Sequence, residues 1–150
     1  ISSVNSMIAD IMEVGSKTNL TQEPTYIETL IYQSLIDSMR YEDPLTIEIG
    51  YKLEHTSRAN VDALKISRVL TNLIANALQA MKYKGKLWFH TTDENSEYIK
   101  VTFGNSNSFI PEGTRIHLFD AFFTKGKKNG TGLGLAIAKK IVEAHGGSIA

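Results

Sequence analysis

The chain has 150 residues, 42% hydrophobic and 21% charged, enough for one ordinary globular domain with its own core. Its 16 Lys and Arg balance 16 Asp and Glu, so no global field draws it to nucleic acid or an anionic surface, and any anion site must be local. Cysteine is absent, which excludes disulfide frameworks and thiolate chemistry, and no apolar run approaches membrane-spanning length.

In chain order, Ile1, Val4, Ile8 and Ile11 fall alternately three and four apart. That spacing predicts a helix over 1–14 with a short a/d seam, or an ordinary amphipathic face. Gly15 ends it, and 16–23 reads as a polar linker. Pro24 suits a first helical turn, and Tyr26, Ile27, Leu30, Ile31, Leu35 and Met39 give a second helix its buried stripe, broken at Asp43-Pro44. Thr46 to Leu53 alternates strictly and predicts a half-buried strand. Asp62 is placed to cap a long helix through about Lys82, with Leu64, Ile66, Val69, Leu70, Leu73, Ile74, Ala77 and Leu78 as its core stripe. Leu87–Thr92 and Tyr98–Phe103 predict a hairpin, followed by a polar, irregular 105–113 and a short turn at 116–119. This order predicts an α+β, two-layer α/β sandwich, with helices on one face of a mixed, mostly antiparallel sheet. The chain opens inside a helical pattern and stops after Gly147-Ser148-Ile149-Ala150, so both ends read as cut from something longer.

Two features carry chemistry. Gly130-Thr131-Gly132-Leu133-Gly134-Leu135 leads directly into a helix that Gly146-Gly147 ends. Glycines at a helix start leave free N–H groups and the positive dipole end available to phosphate, although they also serve tight turns or close packing. Asn72 and Asn76 lie four apart on one face of the long helix. A carboxamide oxygen is a hard, neutral ligand suited to Mg²⁺, while the plainer reading is a pair of solvent-facing asparagines.

Taken together, these stretches closely resemble sensor histidine kinase ATP-binding domains. Asp62 to Ala77 resembles that family's N box, Phe119 to Lys125 its F box, and Gly130 to Leu135 its second glycine box, in the family's order and over roughly 20–150. The resemblance implies the Bergerat fold shared with gyrase-type ATPases, with ATP held by the long helix, an aromatic lid and the glycine-rich helix start. By position, Asn76 would be the Mg²⁺ ligand and Asn72 a phosphate or water contact. The amides of Gly130, Thr131, Gly132, Leu133, Gly134 and Leu135 would wrap the phosphates, with Thr124 and Lys125 nearby. Phe119, Phe122 and Phe123 would anchor the lid, or Phe119 would simply pack in a core. Gln79 stands where the family commonly has a basic residue.

The first glycine box departs from the family's Asp-x-Gly-x-Gly-Ile-Pro. Anchored on Ile110-Pro111, this chain has Asn105 for the adenine-reading Asp, Asn107 for the first glycine and Phe109 for the second. An Asn105 amide can accept from adenine through its oxygen, or rotate and donate to guanine. Water-using ATPases of this fold carry a glutamate where Asn72 stands, and Asn72 cannot accept a proton, so transfer to a histidine is implied instead of hydrolysis. His55, His90, His117 and His145 are followed by Thr, Thr, Leu and Gly, unlike the family's acceptor.

The resemblance therefore implies a two-component kinase fragment. Residues 1–15 would end a dimerisation helix, 16–23 would be a linker, and 24–150 would be the catalytic domain without its C-terminal strand. This fragment would hold no catalytic residue of its own and would be inactive without the phosphoacceptor domain of the same protein. A response regulator or receiver domain, a homodimeric full-length protein and a cytoplasmic domain of a membrane-associated kinase are implied, and no nucleic acid. The alternative is a degenerate relative serving as a weak nucleotide-binding or protein-interaction module.

Overall fold

The computed structural model describes residues 2–39, 46–124 and 131–150, with Ser2 and Ser3 as backbone only. The elements run α1 (Ser2–Gly15), β1 (Glu23–Thr25), α2 (Ile27–Met39), β2 (Ile47–Leu53), β3 (Ala59–Val61), α3 (Ala63–Ala80), β4 (Gly85–Glu94), β5 (Tyr98–Asn105), α4 (Glu112–Arg115) and α5 (Gly134–Ala144). They form two compact units, one of 21–109 and one joining 1–20 to 110–150.

In the first unit, β2, β4 and β5 form one sheet in that order. β2 runs parallel to β4, with Ile47 opposite Gly85, and β4 pairs antiparallel with β5, with Leu87 opposite Asn105. Alternation along β4 sends Leu87, Phe89 and Thr91 to the covered face. Helices α2 and α3 contribute Ile27, Leu30, Ile31, Leu35, Leu70, Ile74, Ala77, Leu78 and Met81 to the same core. Complete burial of a side chain such as Ile31, Ile74 or Leu87 stabilises by about 1.5–3 kcal/mol each. An aromatic row, Tyr32, Tyr51, Phe89 and Phe103, crosses from α2 over the sheet with centroids 4.9 to 6.1 Å apart.

One polar link runs through this core. His55, almost fully buried, holds Glu28 Oε2 of α2 at 3.0 Å and the hydroxyl of buried Thr91 at 2.6 Å. A carboxylate only accepts, so Nε2 of His55 carries the hydrogen toward Glu28.

Several sequence expectations are corrected. Pro24 does not open a helix: it lies in β1, which pairs antiparallel with β3 in a two-stranded ribbon where a missing N–H is tolerated. Tyr26 is exposed, its ring beneath the Arg58 guanidinium at 5.2 Å, because α2 begins one residue later. Leu64 is 86% exposed, since it stands about a quarter turn away from the stripe of Leu70, Ile74, Ala77 and Met81. The hairpin is longer at both ends than predicted, and its second strand reaches Asn105. The short segments β1, β3 and α4 carry no periodicity by which to find them. The predicted break at Asp43-Pro44 lies outside the described residues.

In the second unit, Leu133, Ile137, Ala138 and Ile141 bury one side of α5. Among the described residues no helix is long and apolar enough to cross a membrane.

Candidate functional site

Helix α3 begins as its sequence predicts, with the Asp62 carboxylate accepting from Lys65 N at 3.1 Å; its other oxygen accepts from Thr21 N at 3.0 Å. The cap fixes where the helix starts, and the buried stripe packs in the core cluster shared with the sheet. Asn72, Asn76 and Gln79 fall on the side of α3 roughly opposite that stripe, at spacings of four and three. Both asparagines are half-buried and Gln79 is exposed. Lys65 and Arg68, also half-buried, continue the same face one turn and more toward the helix start. Neither was singled out from the sequence, yet Arg68 stands four residues before Asn72, and that spacing alone puts a positive charge in line with the carboxamides.

The segment after β5 holds its shape by side-chain hydrogen bonds. Asn105 Nδ2 donates to Ser106 O at 3.0 Å and to Ser108 Oγ at 2.5 Å. A backbone carbonyl can only accept, so the atom facing Ser106 O must be the nitrogen, and the carboxamide oxygen points elsewhere as an acceptor. The rotation left open by the sequence is thereby decided in this fold. Asn107 occupies the left-handed region at φ 56°, and its Nδ2 donates to Lys84 O at 3.0 Å. Ser106 exchanges two further bonds with Lys86, N to O at 2.9 Å and Oγ from N at 2.8 Å. These polar groups occupy the space over Gly85, where a Cβ would come within 2.5 Å of Ser106 Oγ and 2.8 Å of Asn107 Nδ2. Phe109 is 85% exposed, so it fills no cavity left by the absent glycine.

In the second unit, the aromatic segment and the glycine-rich segment touch backbone to backbone. Phe122 N donates to Gly132 O at 2.9 Å, and both residues have positive φ, 65° and 68°. A Cβ on Gly132 would lie 2.5 Å from the Phe122 carbonyl carbon, so only glycine fits. Leu133 is fully buried and anchors the segment, Thr131 Oγ accepts from Leu133 N at 3.4 Å, and α5 starts at Gly134 with no side-chain cap. Gly134 and Leu135 are half-buried. Phe119 and Phe123 are half-buried, and Ile110, Phe122 and Thr124 are exposed. The Phe123 ring packs 5.9 Å from His117, whose Nδ1 meets Asp120 Oδ2 at 2.8 Å. Lys125 and Gly130 lie outside the described residues.

Each histidine has a hydrogen-bonding partner. His90 meets Glu54 at 2.7 Å, and His145 Nδ1 meets Ile141 O at 2.7 Å, while His55 and His117 hold the contacts already given. Among the described residues no three His, Cys, Asp or Glu gather, so a divalent ion would rely on carboxamide, water and phosphate oxygens. Asn76 fits that chemistry, being neutral, hard and on a helix rigidly seated in the core.

A family model described as histidine kinase-, DNA gyrase B-, and HSP90-like ATPase matches residues 61–150. The sensor histidine kinase ZraS of Escherichia coli K12 is 30% identical over 147 residues, which is 97% of this chain and 31% of that protein. The chain thus spans about a third of the length of that relative. The catalytic domain of the histidine kinase ThkA, in a nucleotide-free form, is 30% identical with a TM-score of 0.70, covering 85% of this chain and 82% of that one. ThkA in complex with the response regulator TrrA gives 27% identity and a TM-score of 0.76, over 97% of this chain and 42% of that one. Full-length ShkA in complex with AMPPNP shares the fold at a TM-score of 0.77 and 22% identity, over 94% of this chain and 31% of that one.

Proposed function

The chain belongs to the family of histidine kinase-, DNA gyrase B- and HSP90-like ATPases, as a catalytic ATP-binding domain of the sensor histidine kinase type, and we propose how its residues serve phosphoryl transfer. The domain holds ATP and presents its γ-phosphate to a histidine on a dimerisation domain of the same protein. Residues 1–15 are the end of that domain's helix, 16–23 the linker and 24–150 the catalytic part. The full-length protein is a homodimer and membrane-associated, with this domain in the cytoplasm. A response regulator receives the phosphoryl group, as the assembly of ThkA with TrrA supports.

The observation that carries the reading is the carboxamide face of α3, set opposite the helix's buried stripe. Asn76 holds Mg²⁺ and Asn72 contacts water or phosphate, with Arg68 on the same face adding positive charge. Mg²⁺, when bound, neutralises phosphate charge. The backbone amides of 130–135 take phosphate oxygens at the α5 start, where the helix dipole adds to their pull. Asn105 presents its carboxamide oxygen to the adenine amino group. Asn72 is no base, so bound water is not activated and ATP is kept for the histidine.

Calorimetric titration with ATP, with and without Mg²⁺, tests this reading. Wild type should bind more tightly with Mg²⁺, and Asn76→Ala should lose about tenfold, chiefly in that Mg²⁺-dependent part. Equal affinity for both proteins in excess Mg²⁺ would remove Asn76 from the site. Incubated alone with labelled ATP, this chain should acquire no acid-labile phosphate, because its histidines serve structural contacts.

A further inference from the structure

Helix α1 ends at Gly15, and its last turn contains no basic residue to satisfy the carbonyls left open there. The cation comes from elsewhere in the chain. Lys140 Nζ of α5 donates to Glu13 O at 2.5 Å, to Val14 O at 2.9 Å and to Ser16 O, across 124 to 127 residues of sequence. An ammonium has three N–H donors, and all three are used on one helix end. The negative end of the α1 dipole favours the same charge. Ser16 Oγ adds only a local contact to Glu13 O, at 3.4 Å.

Lys140 stands six residues after Gly134, on the helix that opens with the glycine-rich segment. Ile137 and Ile141 flank it in the helix and are buried, so α5 is a seated lever and not a free arm. Displacing the last turn of α1 must either break three charge-assisted bonds or move α5 with it. We propose that Lys140 is a positioning residue that clamps the end of α1 to α5, so that movement of α1 reaches the phosphate-holding helix start. Its ammonium is occupied by those three carbonyls, and it acts by fixing where α5 lies relative to the upstream helix. This rests on the reading of α1 as the end of the helix that leads to the phosphoacceptor.

The test compares Lys140→Met, which keeps the aliphatic stem without charge, with Lys140→Arg, whose guanidinium can still donate to carbonyls. In the full-length kinase, Lys140→Met should lower the autophosphorylation kcat roughly tenfold, the scale of a small misplacement, while the KM and Kd for ATP stay within about twofold. Lys140→Arg should recover most of the rate. In this chain, which has no native cysteine, spin labels at Met12→Cys and Lys139→Cys report the clamp directly, and their distance distribution should broaden in Lys140→Met. An unchanged distribution overturns the clamp. A parallel loss of ATP affinity in Lys140→Met also overturns it, because the residue would then serve only the folding of α5. The kinase reading fails separately, if the wild type binds no ATP.

Discussion

The segments 105–109 and 131–135 both carry a residue in the left-handed region, and they hold it by opposite means. Gly132 needs its missing Cβ, because the Phe122 backbone occupies that volume. Asn107 keeps its Cβ and uses the side chain, which bonds Lys84 O while neighbouring Ser106 bonds Lys86. The glycine solution brings two backbones together, and the asparagine solution ties a loop to a strand start. A loop can therefore lose its glycines without losing its conformation when a carboxamide and a hydroxyl replace close approach with hydrogen bonds.

The comparison can be broken first at Gly132. Gly132→Ala adds left-handed strain and an overlap with Phe122, together at least about 2 kcal/mol, and should lower ATP affinity more than tenfold by calorimetry. Near-normal binding would mean that the backbone contact is dispensable. Next is Asn107→Ala, which keeps the strained φ and loses the bond to Lys84 O, for about 1.5 kcal/mol in urea denaturation. Asn107→Gly, which removes the strain as it removes the bond, should cost less than half as much; equal costs would contradict the assignment of strain to this position.

A smaller effect is expected at Ser108. Ser108→Ala removes one of the two acceptors that orient the Asn105 amide, and the ratio of ATP to GTP affinity should narrow by about fivefold. An unaltered ratio would leave Ser106 O as the sole determinant or exclude Asn105 from the base. The smallest effect concerns a charged version of the same device. Asp93 in β4 accepts from Thr56 N at 2.8 Å, Thr56 Oγ at 2.9 Å and Ser57 N at 3.4 Å, and these bonds, led by the Thr56 amide, hold its pKa below the usual carboxylate range. A depressed folded pKa contributes stability that is complete above the unfolded value near 4 and is lost as pH falls through the lower folded one. Asp93→Asn should flatten that acid loss in thermal melts as pH falls below about 4, and identical slopes would refute it.

Much of this molecule was legible before its fold. The Asp62 cap, the Leu70-Ile74-Leu78 stripe and the alternation of 47–53 each depend on neighbours within a turn or a strand, so local spacing determines them. The same holds for Asn72 and Asn76, which any helix over those residues puts on one face. Other facts needed contacts distant in sequence. Pro24 reads as a helix start until residues 59–61 pair with it, and Leu64 reads as core until the sheet selects which stripe is covered. Lys140 looks like any surface lysine until the carbonyls of Glu13, Val14 and Ser16 converge on it. Sequence alone determines periodicity and the kinds of chemical groups present, because these are properties of the chain within a few residues. Which donor meets which acceptor is decided only by tertiary packing, since it brings together groups the sequence keeps far apart.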